Sequence, residues 1–100
     1  MSPSRSDSAA SIILACHRLY AKGFVTATDG NVSARLPNGN ILITPSAINK
    51  GDVRESLLVE IGPDGEPVTL NRRASTEAGM HLFIYQERPD VHGIVHAHPT

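Results

Sequence analysis

One hundred residues with a 40% hydrophobic share and nearly matched charges, nine Lys and Arg against ten Asp and Glu, describe one modest domain able to bury a single core. A net charge of -1 and no basic run beyond Arg72-Arg73 leave no electrostatic footprint for nucleic acid or an anionic membrane. Two Phe, two Tyr and no Trp offer few rings for stacking on bases, and the single cysteine, Cys16, rules out an intrachain disulfide and fits a reducing cytoplasm.

Residues 1–7 are Ser-rich and aperiodic and read as a loose, disordered leader without the charged and apolar segments of a secretory signal. The longest apolar run is too short for a bilayer. From near Ser8 the apolar positions Ile12, Ala15, Cys16, Leu19 and Tyr20 recur on one helical face, with Lys22-Gly23 as the stop. At Asn31 the period changes. Residues 31–36 and 40–44 read as two strands joined at the Asn38-Gly39 pair. Residues 56–61 and 67–70, flanking the Pro63-Asp64-Gly65-Glu66 turn, read as a second hairpin. A helix is expected over residues 75–87, with Met80, Phe83 and Ile84 at helical spacing, Ser75 or Thr76 as its cap and Pro89 beyond its end. The β-branched segment 92–98 reads as a buried strand.

The sharpest chemical feature is His96-Ala97-His98. Alternate residues on a strand point the same way, so two imidazoles can reach one ion; a pair of ordinary polar residues at a strand end has the same pattern. His92, two strand pitches from His96, is too distant to share that ion. His17 and His81 sit within apolar helical patterns and read as structural. Glu77, early in its helix, is either an acid/base group or a carboxylate at a helix start, free to pair with His81 one turn later. Gly30-Asn31-Val32-Ser33 and Thr44-Pro45-Ser46-Ala47 are turns rich in small hydrogen-bonding groups suited to phosphate, which Arg72-Arg73 could assist.

In this order, Asp29-Gly-Asn-Val-Ser-Ala-Arg35, Ile43-Thr-Pro-Ser46, Ala74-Ser-Thr-Glu-Ala-Gly-Met-His81, Tyr85, Arg88-Pro-Asp90 and Val95-His-Ala-His-Pro99 resemble the class II aldolase/adducin family over nearly the whole chain. The resemblance implies an α/β fold, a three-layer α/β/α domain with a mostly antiparallel central sheet, of which residues 8–100 form the N-terminal half and are incomplete. It implies that Asn31, Ser46, Ala47, Ser75 and Thr76 bind the substrate phosphate, that Glu77 is catalytic, and that His96 and His98 hold Zn2+ or another divalent metal, with a third histidine beyond Thr100. Ala47 stands where the family usually has glycine, which weakens that turn as a phosphate binder if it requires φ > 0. The expected activity of the full-length protein is that of a zinc-dependent aldolase, a lyase forming or cleaving a C–C bond in a small phosphorylated sugar or hydroxyketone through an enediolate. The isolated 100 residues are expected to be inactive, whether they are a fragment or the native product. The alternatives are an epimerase, dehydratase or decarboxylase of the same family, or a non-catalytic adducin-like interaction module. The resembling 4-epimerases carry aspartate at the place of Glu77 and the thioribulose-phosphate dehydratases put their acid/base elsewhere, so this glutamate favours aldolase or decarboxylase chemistry. A homotetramer in the cytoplasm, with no nucleic-acid or membrane partner, completes the expectation.

Overall fold

The computed structural model describes residues 4–22, 30–45, 53–70 and 72–96. Helix α1 spans Arg5–Ala21, helix α2 Ala78–Glu87, and four antiparallel strands, β1 (Asn31–Arg35), β2 (Ile41–Ile43), β3 (Val59–Ile61) and β4 (Gly93–His96), form one sheet in the order β3-β2-β1-β4. No described helix is long and apolar enough to cross a membrane.

Strand alternation sorts the core into two layers. Val32, Ala34 and Leu42 turn to one face and pack with Ala9, Ile12 and Cys16 of α1. Ile41, Ile43, Val59 and Ile61 turn to the other, where Tyr85, Ala78 and Leu82 of α2 cover them. The helices therefore flank the sheet, as an α/β/α sandwich requires.

Helix α1 begins three residues earlier than the apolar period predicts. The Ser4 hydroxyl accepts the Asp7 N–H while the Asp7 carboxylate returns to the Ser4 N–H, so a polar capping box, invisible to a hydrophobic pattern, draws residues 5–7 of the expected leader into the first turn. Tyr20, counted on the apolar face, is half exposed. The β1–β2 hairpin forms as expected, with Gly39 at φ 89° in its turn, a conformation open to glycine at no steric cost.

The second hairpin forms only in part: its turn closes, with the Gly62 N–H donating to the Glu66 carbonyl, but residues 67–70 make no strand. A 3-10 turn at Glu55–Leu57 precedes β3, and the returning segment meets it through an isolated bridge, Ile61 to Pro67, and through the Val68 and Thr69 N–H groups, which share the Glu60 carbonyl. Proline at the first returning position lacks the N–H that a ladder would extend. The predicted face of α2 is also corrected: Phe83 is exposed, and the covered stripe is Ala78, His81, Leu82 and Tyr85. Strand β4 is not a buried strand. It occupies the sheet edge among the described residues, Gly93 and Val95 being exposed, so its β-branched residues are half covered from one side only.

Arg35 fastens the end of α2. Its guanidinium donates to the carbonyl oxygens of Tyr85, Arg88 and Pro89 and lies 4.9 Å from the centre of the Tyr85 ring, satisfying carbonyls that a helix end leaves without partners.

Candidate functional site

Antiparallel pairing brings three strand ends and one helix start to the same edge of the sandwich. Asn31, the first residue of β1, pairs with His96, the last of β4. Thr44 follows β2; its N–H donates to the Val32 carbonyl at 3.0 Å and its hydroxyl accepts the Val32 N–H at 3.3 Å. Pro45 bridges Ala74, and the Ser75 N–H donates to the Thr44 carbonyl at 3.1 Å, which fixes the turn leading into α2 beside the end of β2. Gly30 enters β1 with φ 84°, a backbone state other residues rarely adopt. Motifs separated by up to 65 residues thus converge because the sheet is antiparallel and α2 crosses it.

Glu77 stands at the N-cap of α2 with an exposed side chain. Neither Ser75 nor Thr76 caps the helix. The Ser75 hydroxyl instead accepts the Glu77 N–H at 3.2 Å, forming a small turn just ahead of it. Thr76 is exposed and Ser75 half-buried, directly before Glu77 in the chain. Glu77 does not pair with the His81 ring, because that ring points into the sandwich toward β1; the two residues meet through the backbone, His81 N–H to Glu77 carbonyl at 3.3 Å.

Behind this rim lies a buried polar relay. His81 is fully buried, with Nδ1 at 2.6 Å from Ser33 Oγ and Nε2 hydrogen-bonded to Asn31 Oδ1. Ser33 Oγ is 2.8 Å from the Tyr85 hydroxyl, and Asn31 Nδ2 lies 3.5 Å from His96 Nδ1. Burial, and secondarily the charge of His96, pushes the His81 pKa down to about 4, so the ring is neutral and has one donor and one acceptor nitrogen. Burial likewise pushes the Tyr85 phenol up, keeping its proton on oxygen. Asn31, expected as a phosphate donor, is buried, and its amide is engaged with two imidazoles.

The structural reading of His81 and His17 holds: His17 Nε2 reaches the Val53 carbonyl at 3.1 Å, far along the chain from the rim. His92 precedes β4 and is exposed. The expected site residues Ser46, Ala47 and His98 lie outside the described residues. Arg73 is exposed and Arg72 half-buried, just ahead of Ala74. Sequence reasoning left Ser33 and Tyr85 without a role in the relay. The signal was present: Ser33 stands two residues after Asn31 on one strand face, and Tyr85 four after His81 on one helix face.

Among the described residues no three His, Cys, Asp or Glu side chains gather closely enough to hold a metal ion. Among the described residues His96 has the chemistry of one ligand, a half-buried imidazole at a strand end, but the group against its Nδ1 is the Asn31 amide nitrogen, a donor, where imidazole ligands commonly meet an acceptor.

Residues 10–100 match the Class II Aldolase and Adducin N-terminal domain. Methylthioribulose-1-phosphate dehydratase of Gluconobacter oxydans is 42% identical over 87 residues, covering 87% of this chain and 42% of its own length. Among solved structures, YgbL from Klebsiella pneumoniae superposes with a TM-score of 0.91 at 27% identity, covering 97% of this chain and 46% of that one. L-fuculose-1-phosphate aldolase from Thermus thermophilus gives a TM-score of 0.76 at 33% identity, covering 92% and 46%. The chain spans about two fifths of the length of the curated relatives it matches. With its motifs gathered at one edge of an α/β sandwich, the chain belongs to the class II aldolase and adducin family.

Proposed function

We propose that the protein containing this chain is a lyase that removes water from a small ketose phosphate of the methylthioribulose 1-phosphate type. The observation that carries this reading is the 42% identity, over 87% of the chain, to a dehydratase of that substrate. It replaces aldol cleavage, the activity favoured from Glu77 alone, as the first reading.

In this reading His96 and His98 are ligands for a divalent cation, zinc being the expected one, and a further ligand comes from outside these 100 residues. When bound, the cation supplies Lewis-acid polarisation of the substrate carbonyl and its neighbouring oxygen. The chain's own residues do the rest. Ser75 and Thr76, with the N–H groups opening α2, receive the phosphate, joined by Ser46 and the backbone at residue 47. Asn31 contributes by holding His96. Anchoring the phosphate places C3 of the ketose, adjacent to the C2 carbonyl, beside Glu77. In this proposal the exposed Glu77 carboxylate, and not a group elsewhere as the resemblance to the dehydratases implied, takes the C3 proton; the electrons of that C–H bond form the C2–C3 enediolate, which then expels the C4 hydroxyl, and the proton held by Glu77 leaves with it as water. The resulting enol becomes a 2,3-diketone.

The test uses the full-length protein loaded with zinc and supplied with methylthioribulose 1-phosphate. A diketone trapped as its quinoxaline with a 1,2-diaminobenzene is the expected product. The second reading, an aldolase, rests on the L-fuculose-1-phosphate aldolase at 33% identity. It would be favoured instead if no diketone forms and L-fuculose 1-phosphate is cleaved to dihydroxyacetone phosphate. A protein that purifies without stoichiometric metal and turns over neither substrate would fit an adducin-like module. A tetrameric, cytoplasmic form belongs to the same proposal and is checked by light scattering and by cell fractionation.

A further inference from the structure

We propose that the buried relay Tyr85–Ser33–His81–Asn31 is a positioning device for His96, and that a cation bound at His96 Nε2 reverses the direction of every hydrogen bond in it. The inference rests on the metal-ligand reading of His96 given above. Its basis is the geometry of five side chains contributed by β1, α2 and β4.

In the arrangement seen, Asn31 turns Oδ1 to His81 and Nδ2 to His96. Oδ1 can only accept, so His81 Nε2 carries the hydrogen and donates. The neutral ring then has its lone pair on Nδ1, which accepts from the Ser33 hydroxyl at 2.6 Å, and Ser33 Oγ accepts from the Tyr85 hydroxyl at 2.8 Å. At the other end Nδ2–H donates to His96 Nδ1 at 3.5 Å, which requires a lone pair there. In its uncharged form His96 then holds its hydrogen on Nε2, the wrong tautomer for binding a cation through that nitrogen.

A cation at Nε2 demands the hydrogen on Nδ1. Nδ1–H needs an acceptor, and Asn31 can supply one by turning its amide through half a revolution so that Oδ1 faces His96. Nδ2–H then donates to His81 Nε2, the His81 hydrogen moves to Nδ1 and donates to Ser33 Oγ, and the Ser33 hydroxyl donates to Tyr85. Each imidazole keeps one hydrogen throughout, so the reversal consumes and releases no proton. Burial excludes water as an alternative partner: Asn31, Ser33, His81 and Tyr85 expose 5% of their surface or less, and no described buried side-chain nitrogen or oxygen lacks a partner. Half-reversal would leave two donors or two acceptors face to face, so the relay switches as a unit, and the hydrogen of the Tyr85 hydroxyl, turned away from Ser33, is the cost of the reversed state.

The test is a long-range nitrogen–proton NMR spectrum of the full-length protein labelled with 15N-histidine, recorded metal-free and after one equivalent of zinc. His81 is expected to change from the Nε2–H to the Nδ1–H tautomer as His96 shows a metal-bound Nε2. If His96 binds zinc while His81 keeps its metal-free tautomer, the reversal is wrong and the metal site stands. If zinc leaves the His96 signals unmoved, the metal-site reading falls and the inference with it. A second measurement reads zinc affinity by competition with a chelator. Asn31→Leu, which removes the acceptor, is expected to weaken binding about 10- to 100-fold. Asn31→Asp, which offers His96 an acceptor without turning, is expected to restore it. Equal affinity in wild type and Asn31→Leu would overturn the positioning role.

Discussion

Acidification should destabilise this fold through His81 before any carboxylate takes part. The folded ring has a pKa of about 4 because it is buried and faces the His96 charge, against an ordinary 6.5 in the unfolded chain. Between those values the unfolded state binds the proton and the folded state does not, so stability falls as pH drops from about 7 toward 4. At pH 5 the unfolded chain gains roughly thirtyfold in its protonated and unprotonated forms together, while the folded chain gains almost nothing, a loss of about 2 kcal/mol between pH 7 and pH 5. Glu60, lowered chiefly by its hydrogen bond from Asn40, and Asp90, lowered by Arg88, contribute stability that disappears only below the usual carboxylate range, so they add little above pH 5. The assay is urea unfolding of the chelator-treated protein at both pH values, followed by far-ultraviolet circular dichroism. The control is His81→Gln, which offers a donor and an acceptor without titrating. It should be less stable at pH 7 but lose about 2 kcal/mol less than wild type on acidification. Equal losses in the two proteins would refute the assignment.

Glu77→Gln should lower turnover of the full-length enzyme roughly 10²-fold or more with little change in KM and with bound zinc retained by elemental analysis; unchanged turnover would move the acid/base role to another residue. His96→Ala should purify without its metal, and a full zinc complement in that variant would remove His96 from the ligand set. Ser4→Ala breaks one half of the α1 capping box and should cost about 1 kcal/mol in urea unfolding. Ile43→Ala empties a fully buried position between β2 and α2, and a loss of about 2–5 kcal/mol in the same assay is expected.

Legibility in the sequence followed the kind of force that acts at each place. The β1–β2 hairpin could be read because alternation and an Asn-Gly turn are both local. The α2 face could not be read from apolar spacing, because half of its covered stripe consists of His81 and Tyr85, which are polar and enter the core only by hydrogen-bonding to Ser33 and Asn31. Residues 67–70 look like a strand by composition, yet after the proline at their start two successive N–H groups crowd onto the one Glu60 carbonyl, and no regular ladder extends past the Ile61–Pro67 bridge. For the site, the residue types at Glu77, His96 and the two turns were legible as motifs. The burial of Asn31 was not, since it depends on β4 lying next to β1, a neighbour set by topology 65 residues away.

That neighbour relation explains a division of labour across the rim. Glu77 and Thr76 are exposed at the opening of α2, where conformational freedom suits the proton transfer and phosphate contact proposed for them. His96 is intermediate, as suits the proposed ligand, which must be within reach of a cation yet keep one orientation. Asn31, Ser33, His81 and Tyr85 are buried, and each uses its polar atoms on the next. Replacing this layer by apolar residues of equal volume need not harm stability, since desolvating four polar groups costs what their hydrogen bonds return. The layer's value is therefore in fixing direction. An apolar filling could hold α2 on the sheet, but it could not tell His96 which of its two nitrogens should carry the hydrogen.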